Sequence, residues 1–285
     1  MATRASKETS RRPCLQGKKV PPKEKIRLTG PEATMLPMVY FRALDAKKPN
    51  PILGDPYAQK LLDRCDIDFS AEPFVKDDRF IEYEFLDSHC SEPVTVIHLG
   101  CGLDCRYMRM RKGPNVRWID VDHPVAVEAR TRLVPRPQDE DYTLRTLQIT
   151  KTGWTRDIPN DRPTLVIAEG LLPYMSADAG ERVFRDVAEY FQSGEIAVDH
   201  VSSLVTRLSG AIKVVRTGGA RLYWGVDNPR EEIEALHPKL KMKECLHWAD
   251  FMDEHPPLFG VTMTKVMGAL MPGWKSNLKL LRFEY

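Results

Sequence analysis

The feature that most restricts how this chain can fold is an apolar run that stops on a glycine turn. Val94 to Leu99 is almost continuously apolar and is bounded by Pro93 and Gly100, as a strand buried on both faces should be. It leads straight into Gly100-Cys101-Gly102-Leu103-Asp104, whose glycines let a strand turn tightly into a helix and let backbone N–H groups approach a ligand. About 20 residues on, a second apolar run ends in Trp118-Ile119-Asp120-Val121-Asp122, where a carboxylate binds ribose hydroxyls in nucleotide-binding α/β folds.

The residues beyond this pair continue an alternation of strands and helices. Val116 to Val121, Tyr142 to Ile149, Thr164 to Ala168 and Glu195 to Val201 read as further strands, and Leu278 to Tyr285 as a closing edge strand. Between them Pro124 to Leu133 and Ala177 to Phe191 carry apolar residues at helical spacing, the latter behind an N-capping Ser176. The series predicts an α/β fold with a doubly wound, mostly parallel, Rossmann-like sheet. Residues 202–228 break the alternation and read as an insertion over the sheet. Ahead of the first strand, Glu32 to Ala46 has helical spacing, and Asp55 followed by Pro56 reads as the start of a short helix carrying Leu61 and Leu62. The expected division is a disordered basic tail over 1–28, a helical cap over 29–90 and the α/β domain over 91–285.

Charge and composition narrow the function classes. The formal net charge is +2, yet residues 1–28 hold nine Lys or Arg against Glu8 and Glu24, so a tail of +7 leaves a body of −5. An acidic body argues against nucleic-acid binding, which takes a clustered basic surface. The longest apolar run, Thr164 to Met175, is broken by Glu169, Gly170 and Pro173 and falls short of the roughly 20 residues of a membrane span. No apolar leader precedes the tail, which sets the expectation of a cytoplasmic protein without a membrane partner. The six cysteines form no zinc-spaced set and are expected as reduced, mostly buried thiols; no metal is expected.

The turn also carries information about the ligand. Cys105 stands where the dinucleotide pattern G-x-G-x-x-G has its third glycine, which argues against a pyrophosphate cradle. An adenosine ligand without phosphates fits better, and S-adenosyl-L-methionine is the commonest of these.

Three separated stretches carry a family resemblance. Val96-Ile97-His98-Leu99-Gly100-Cys101-Gly102-Leu103-Asp104, then Trp118 to Pro124, then Ala168-Glu169-Gly170-Leu171-Leu172-Pro173-Tyr174-Met175 resemble the signature of the leucine carboxyl methyltransferase family. Leu44 to Pro56 and Trp224-Gly225-Val226-Asp227-Asn228-Pro229 are similar to its tetracenomycin-type polyketide O-methyltransferase branch. The resemblance implies a class I methyltransferase fold with an N-terminal helical cap and S-adenosyl-L-methionine as cofactor. It implies that Gly100 and Gly102 meet the methionine part, and that Asp122, with Asp120 beside it, serves the ribose. Gln148 and Ile149 would flank the adenine, Glu169 would face the amino-acid end, and Arg42 would meet the cofactor carboxylate. Position 148 departs from the family, which has an acid there.

The catalytic candidates are Tyr174, in the loop after the fourth strand, and His200, where a general base would face the reacting methyl group. The plainer reading of His200 is a histidine hydrogen-bonded under a loop. His98 reads as buried and satisfied, Asp104 as a helix cap, and Tyr223 and Trp224 as a pocket wall or as pins for the insertion. Arg207, Arg216 and Arg221 are candidates to orient a substrate carboxylate. The expected activity is O-methylation of a small-molecule carboxylate of secondary metabolism, by a monomer or homodimer. Methylation of a polyketide phenol or enol, or of a protein C-terminal carboxylate, stands as an alternative. From another class, an NAD-dependent oxidoreductase would share the glycine turn and ribose acid.

Overall fold

The computed structural model describes residues 28–51, 53–65, 92–110, 112–113, 115–211, 219–247 and 274–285. The basic tail up to residue 27, residues 66–91 of the expected cap, and Arg216 in the expected insertion lie outside them.

Seven strands form one sheet: β1 (Val94–Leu99), β2 (Val116–Asp122), β3 (Tyr142–Thr146), β4 (Thr164–Ala168), β5 (Gly194–Val201), β6 (Lys241–His247) and β7 (Leu278–Glu284). Their order is β3-β2-β1-β4-β5-β7-β6. The first five run parallel, while β7 pairs antiparallel with both β5 and β6. Every residue of β1 and of β4 is buried, the signature of strands covered on both faces. One apolar layer joins Ile97, Leu99, Val166 and Val198 with Phe184 and Val187; the other joins Val96, Trp118, Leu165 and Ala197 with Tyr107 and Tyr142.

Helices fill the crossovers. α1 (Met35–Asp45) and α2 (Ala58–Arg64) precede the sheet, α3 (Arg106–Arg109) follows the glycine turn, α4 (Pro124–Leu133) follows β2 and α5 (Ala177–Tyr190) follows β4. Ser176 caps α5 by accepting from the Ala179 amide at 3.3 Å. α6 (Ser203–Leu208) and α7 (Pro229–Glu234) lie between β5 and β6. α1 and α2 bury Leu36, Val39, Ala43, Ala58 and Leu61 against Leu103 and Cys105 of the glycine turn and Leu133 of α4. Asp45 holds the connection between the two helices, accepting from the amides of Leu53 at 2.8 Å and Gly54 at 3.1 Å.

Four boundaries differ from the expectations. β3 stops at Thr146 rather than Ile149 because its partner β2 ends at Asp122, leaving nothing to pair with. Leu278 onward is not an edge strand: β6, whose alternation of Lys, Glu and apolar residues hides it, covers β7 on its outer side. Residues 30–34 form a 3-10 turn, so that α1 starts at Met35 rather than at Glu32. Asp55 is not the N-cap of the second helix; it accepts from the Tyr57 amide two residues on, an Asx turn that precedes α2.

Candidate active site

The chain order reverses between β1 and β4, since β2 and β3 lie on one side of β1 and β4 and β5 on the other. In open α/β sheets this switch point, at the carboxyl ends of the strands, is where ligands bind. The glycine turn, Asp122, Gln148, Glu169 and Val201 all emerge there.

The turn itself is held by main-chain bonds: Gly100 N donates to Val121 O at 2.8 Å, and Asp104 N to Cys101 O at 3.0 Å. Gly100 and Gly102 have φ of 66° and 46°, a region other residues enter only with strain. Space is equally restrictive, because a Cβ on Gly102 would lie 2.9 Å from Met35 Sδ and one on Gly100 3.2 Å from Leu171. Asp122, at the end of β2, accepts from Gly102 N and from His123 N, both at 2.7 Å. Burial pushes its carboxyl above the ordinary value.

Asp120 is in a different place from Asp122, which corrects its expected role at the ribose. It is fully buried, and its carboxylate meets Trp118 Nε1 at 2.7 Å, Tyr142 OH at 2.8 Å, Arg130 Nη2 at 2.6 Å and His98 Nδ1 at 3.2 Å. A carboxylate with that set of partners and no exposure has no face left for a ligand. The alternation of side chains along β2 would put both acids on one face, so exposure and not direction separates them. Arg130 reaches back from α4, and its Nη1 donates to the carbonyls of Gly102 at 3.0 Å and Asp104 at 2.6 Å.

Asp104 is not the helix cap it was expected to be; Cys105 takes that position without a side-chain bond. Its carboxylate instead pairs with Arg42 at 3.0 Å, Arg106 at 3.4 Å and Arg109 at 3.2 Å. These charges hold it well below the usual carboxylate range despite its burial. Glu169, just past β4, receives Arg106 at 2.5 Å and lies 3.6 Å from Arg42. α1, the glycine turn and β4 thus converge through one buried ionic cluster. Arg42 Nε, also buried, has no hydrogen-bond acceptor among the described residues.

The remaining expected residues spread around this cluster. Gln148 is exposed beyond β3, and Ile149 is half-buried against the core. Leu172–Tyr174 forms a short 3-10 turn, and Asp199 holds the chain just before it by accepting from Gly170 N at 2.7 Å. Tyr174 in that turn packs against the cluster of Val201 and Leu222. Tyr223 and Trp224 donate to Pro173 O, so the extended segment 219–226 crosses the same turn. Leu222, Trp224 and Val226 point inward, while Arg221 and Tyr223 are exposed.

His200 is not at the surface of the site. It is 1% exposed, its Nδ1 accepts from Val201 N at 3.0 Å, and the Trp224 ring packs edge-on at 4.5 Å. Burial lowers its pKa to about 4. Trp224 is accordingly a pin of the insertion and not a pocket wall. His98 is buried too, and desolvation lowers its pKa although Asp120 pulls it upward. The thiols of Cys101 and Cys105 are buried and shifted upward by desolvation, the latter to about 12, so they pack and do not react. Among the described residues no group of three His, Cys, Asp or Glu is arranged to hold a metal ion, and no helix is long and apolar enough to cross a membrane.

Sequence reasoning missed Arg106, Arg109 and Arg130. Arg106 reaches Glu169 across 63 positions and Arg130 reaches Gly102 across 28, which no local spacing signals, whereas Arg109 lies only five positions from its partner Asp104. A buried arginine directly after a glycine turn is visible only as a charge where helix α3 should present an apolar face.

Comparison with known proteins follows the same lines. Residues 36–188 match the model of a family described as leucine carboxyl methyltransferase. Over 278 residues the chain is 38% identical to the tetracenomycin polyketide synthesis O-methyltransferase TcmP of Streptomyces glaucescens, spanning 92% of this chain and 99% of that protein. It is 33% identical over 251 residues to the S-adenosyl-L-methionine-dependent methyltransferase dpfgK of Gibberella zeae, spanning 78% and 84%. A solved structure described as a candidate methyltransferase from Thermobifida fusca YX superposes with a TM-score of 0.53 at 15% identity, over 90% of this chain and 94% of that one, and so shares the fold.

Proposed function

Because the chain belongs to the leucine carboxyl methyltransferase family and is an S-adenosylmethionine-dependent methyltransferase, we propose that it methylates a carboxylate oxygen of a small secondary metabolite to give a methyl ester. Polyketide-type acids are the favoured acceptors, in line with the printed activity of the Streptomyces relative.

The residues at the switch point fit the cofactor. Its methionine part needs a turn with no Cβ at Gly100 and Gly102, its ribose a carboxylate such as Asp122, and its carboxylate a cation; the buried Arg42 Nε without an acceptor among the described residues supplies a donor for the last. Gln148 and Ile149 would flank the adenine, and Glu169 would take the ammonium end while holding Arg42 and Arg106 in place. When bound, S-adenosylmethionine supplies a methyl group on a sulfonium, open to in-line attack.

The protein's contribution is then to hold the acceptor oxygen in line and exclude water, an effect worth up to about 7–11 kcal/mol. The observation that carries the carboxylate reading is the state of His200. With a pKa near 4 and 1% exposure, it stands roughly six units below a phenol of pKa about 10, so proton transfer to it would cost about 8 kcal/mol. A carboxylic acid of pKa about 4 arrives ionised at neutral pH and needs no base. Tyr174, at the end of the same crevice, is offered as an acceptor-positioning group.

The test is a pH–rate profile at saturating cofactor. Turnover should be flat from pH 6 to 8, and His200→Asn should keep most of it. A limb rising through a histidine-like pKa and abolished in His200→Asn would replace the carboxylate with a phenol.

A further inference from the structure

Gly102 is bound on both sides of its peptide. Its N–H donates to Asp122, and its carbonyl accepts from Arg130 at 3.0 Å, whose same Nη1 also meets the Asp104 carbonyl at 2.6 Å. Two carbonyls two residues apart are thus drawn toward one nitrogen, which fixes the intervening Leu103 and sets how the turn presents its amides. Arg130 comes from α4, an element with no other part in the site. It is 3% exposed, and its charge is balanced at 2.6 Å by Asp120.

Asp120 is itself fixed in all directions. Trp118 and Tyr142 hold its two oxygens from β2 and β3, and His98 approaches from β1. Removing solvent from such a pair is costly, and a hydrophobic pair of equal volume would often be at least as stable. Stability alone therefore gives a weak reason for an Arg130–Asp120 pair under a glycine turn. Geometry gives a stronger one: the planar guanidinium sets Nη1 on two carbonyls and Nη2 on a carboxylate at once, whereas an ammonium has a single nitrogen to serve all three.

We propose that Arg130 is a positioning residue for cofactor binding: through the carbonyls of Gly102 and Asp104 it holds the glycine turn, and with it the Gly102–Asp122 contact and the Asp104 carboxylate, in the shape the cofactor needs. Asp120, with Trp118, Tyr142 and His98, is the anchor that aims it. This rests on the cofactor site assigned above.

The informative variant is Arg130→Lys, which keeps the balancing charge for Asp120 but whose one nitrogen cannot stand at both the Nη1 position under the carbonyls and the Nη2 position at Asp120. Calorimetry with S-adenosylmethionine and S-adenosylhomocysteine should give a Kd raised about tenfold or more, the scale of one lost charge-assisted hydrogen bond. KM for the cofactor should rise in parallel, while kcat at saturating cofactor and KM for the acceptor stay near those of the parent. Glu195→Gln serves as the stability control, because it weakens a buried pair with Arg282 at 3.1 Å at the opposite end of β5. It should lower Tm and leave cofactor Kd unchanged. If Arg130→Lys behaves like that control, with lower Tm and unchanged Kd, Arg130 is structural only and the inference is overturned. Should Arg130→Lys fail to fold, Asp120→Asn is read by the same rule: raised Kd supports the role and unchanged Kd overturns it. Absence of cofactor binding by the parent protein would overturn the site reading first, and this one with it.

Discussion

The amide of Gly102 donates to the carboxylate of Asp122 at 2.7 Å, joining the turn after β1 to the end of β2 across the point where the sheet reverses its order. Asp122 accepts this bond on one oxygen and the His123 amide on the other, one partner each, whereas Asp120, two residues earlier, has four side-chain partners. Asp122→Ala should therefore weaken S-adenosylmethionine binding by about 1.5–3 kcal/mol, or roughly 10- to 150-fold in Kd, with a modest loss of Tm because the Gly102 and His123 amides lose their acceptor. Asp120→Ala should lower Tm much more, since it leaves Arg130 buried without a counter-charge. A large drop in affinity from Asp120→Ala at unchanged Tm would exchange the roles of the two acids.

Arg42 links the helical cap to Asp104 and Glu169, and its Nε is the buried donor without an acceptor among the described residues. If that donor serves the cofactor carboxylate, Arg42→Gln should weaken S-adenosylmethionine binding but hardly affect an analogue lacking the carboxylate. The difference in affinity between the two ligands, measured by calorimetry, should shrink by about tenfold or more in the variant. Equal losses for both ligands would mean that Arg42 only shapes the cluster.

How much of this was legible in the sequence depends on how local each signal is. β1 and β4 are found at their residues because full burial produces apolar runs with breakers at both ends. α5 was equally plain, with Ser176 before it and Val183, Phe184, Val187 and Ala188 on one face. β6 was not, since a strand with one exposed face, carrying Lys241, Lys243 and Glu244, looks like a polar connection until β7 pairs with it. The site divides in the same way. Gly100, Gly102 and Asp122 follow from turn chemistry and spacing, but the Arg130 contact to Gly102 spans 28 positions and the Arg106 contact to Glu169 spans 63. Asp104 differs from the cap reading because its carboxylate turns to side chains, the distant Arg42 of α1 and the adjacent Arg106 and Arg109 of α3, rather than to a backbone amide of α3.

Histidine burial predicts an acid limb in stability. His200 has its pKa lowered to about 4 and His98 is lowered too, both chiefly by desolvation, against a value of 6.5 in an exposed histidine. The unfolded chain therefore takes up these protons first as pH falls. The His200 contribution, roughly 3 kcal/mol, is complete above pH 6.5 and is lost on the way down to pH 4, and that of His98 falls in the same direction. Urea unfolding of the parent and of His200→Asn at pH 7 and 4.5 should show a smaller pH dependence in the variant. Equal dependence would mean that His200 is not held neutral.

The Trp224-Gly225 pair shows how the insertion is fastened. A Cβ on Gly180 of α5 would lie 2.2 Å from the Trp224 ring, and one on Gly225 2.6 Å from the backbone of Ser203. Asp227 then accepts from Ser203 N at 2.9 Å. Gly180→Ala should displace Trp224 and cost about 1–3 kcal/mol by overpacking, with acceptor KM raised because segment 219–226 crosses the turn that holds Tyr174. Unchanged Tm would mean that the ring has room to move.

Methyl esters and aryl methyl ethers differ sharply in alkali, and that difference tests the central claim most directly. The protein is incubated with methyl-labelled S-adenosylmethionine and an aromatic acceptor bearing both a carboxyl and a phenol group, and the product is then treated with mild base. The account predicts transfer of label to the acceptor and its release as methanol, with none transferred to the same ring lacking the carboxyl group. Label that survives alkali, or that transfers to the ring carrying only the phenol, would contradict it.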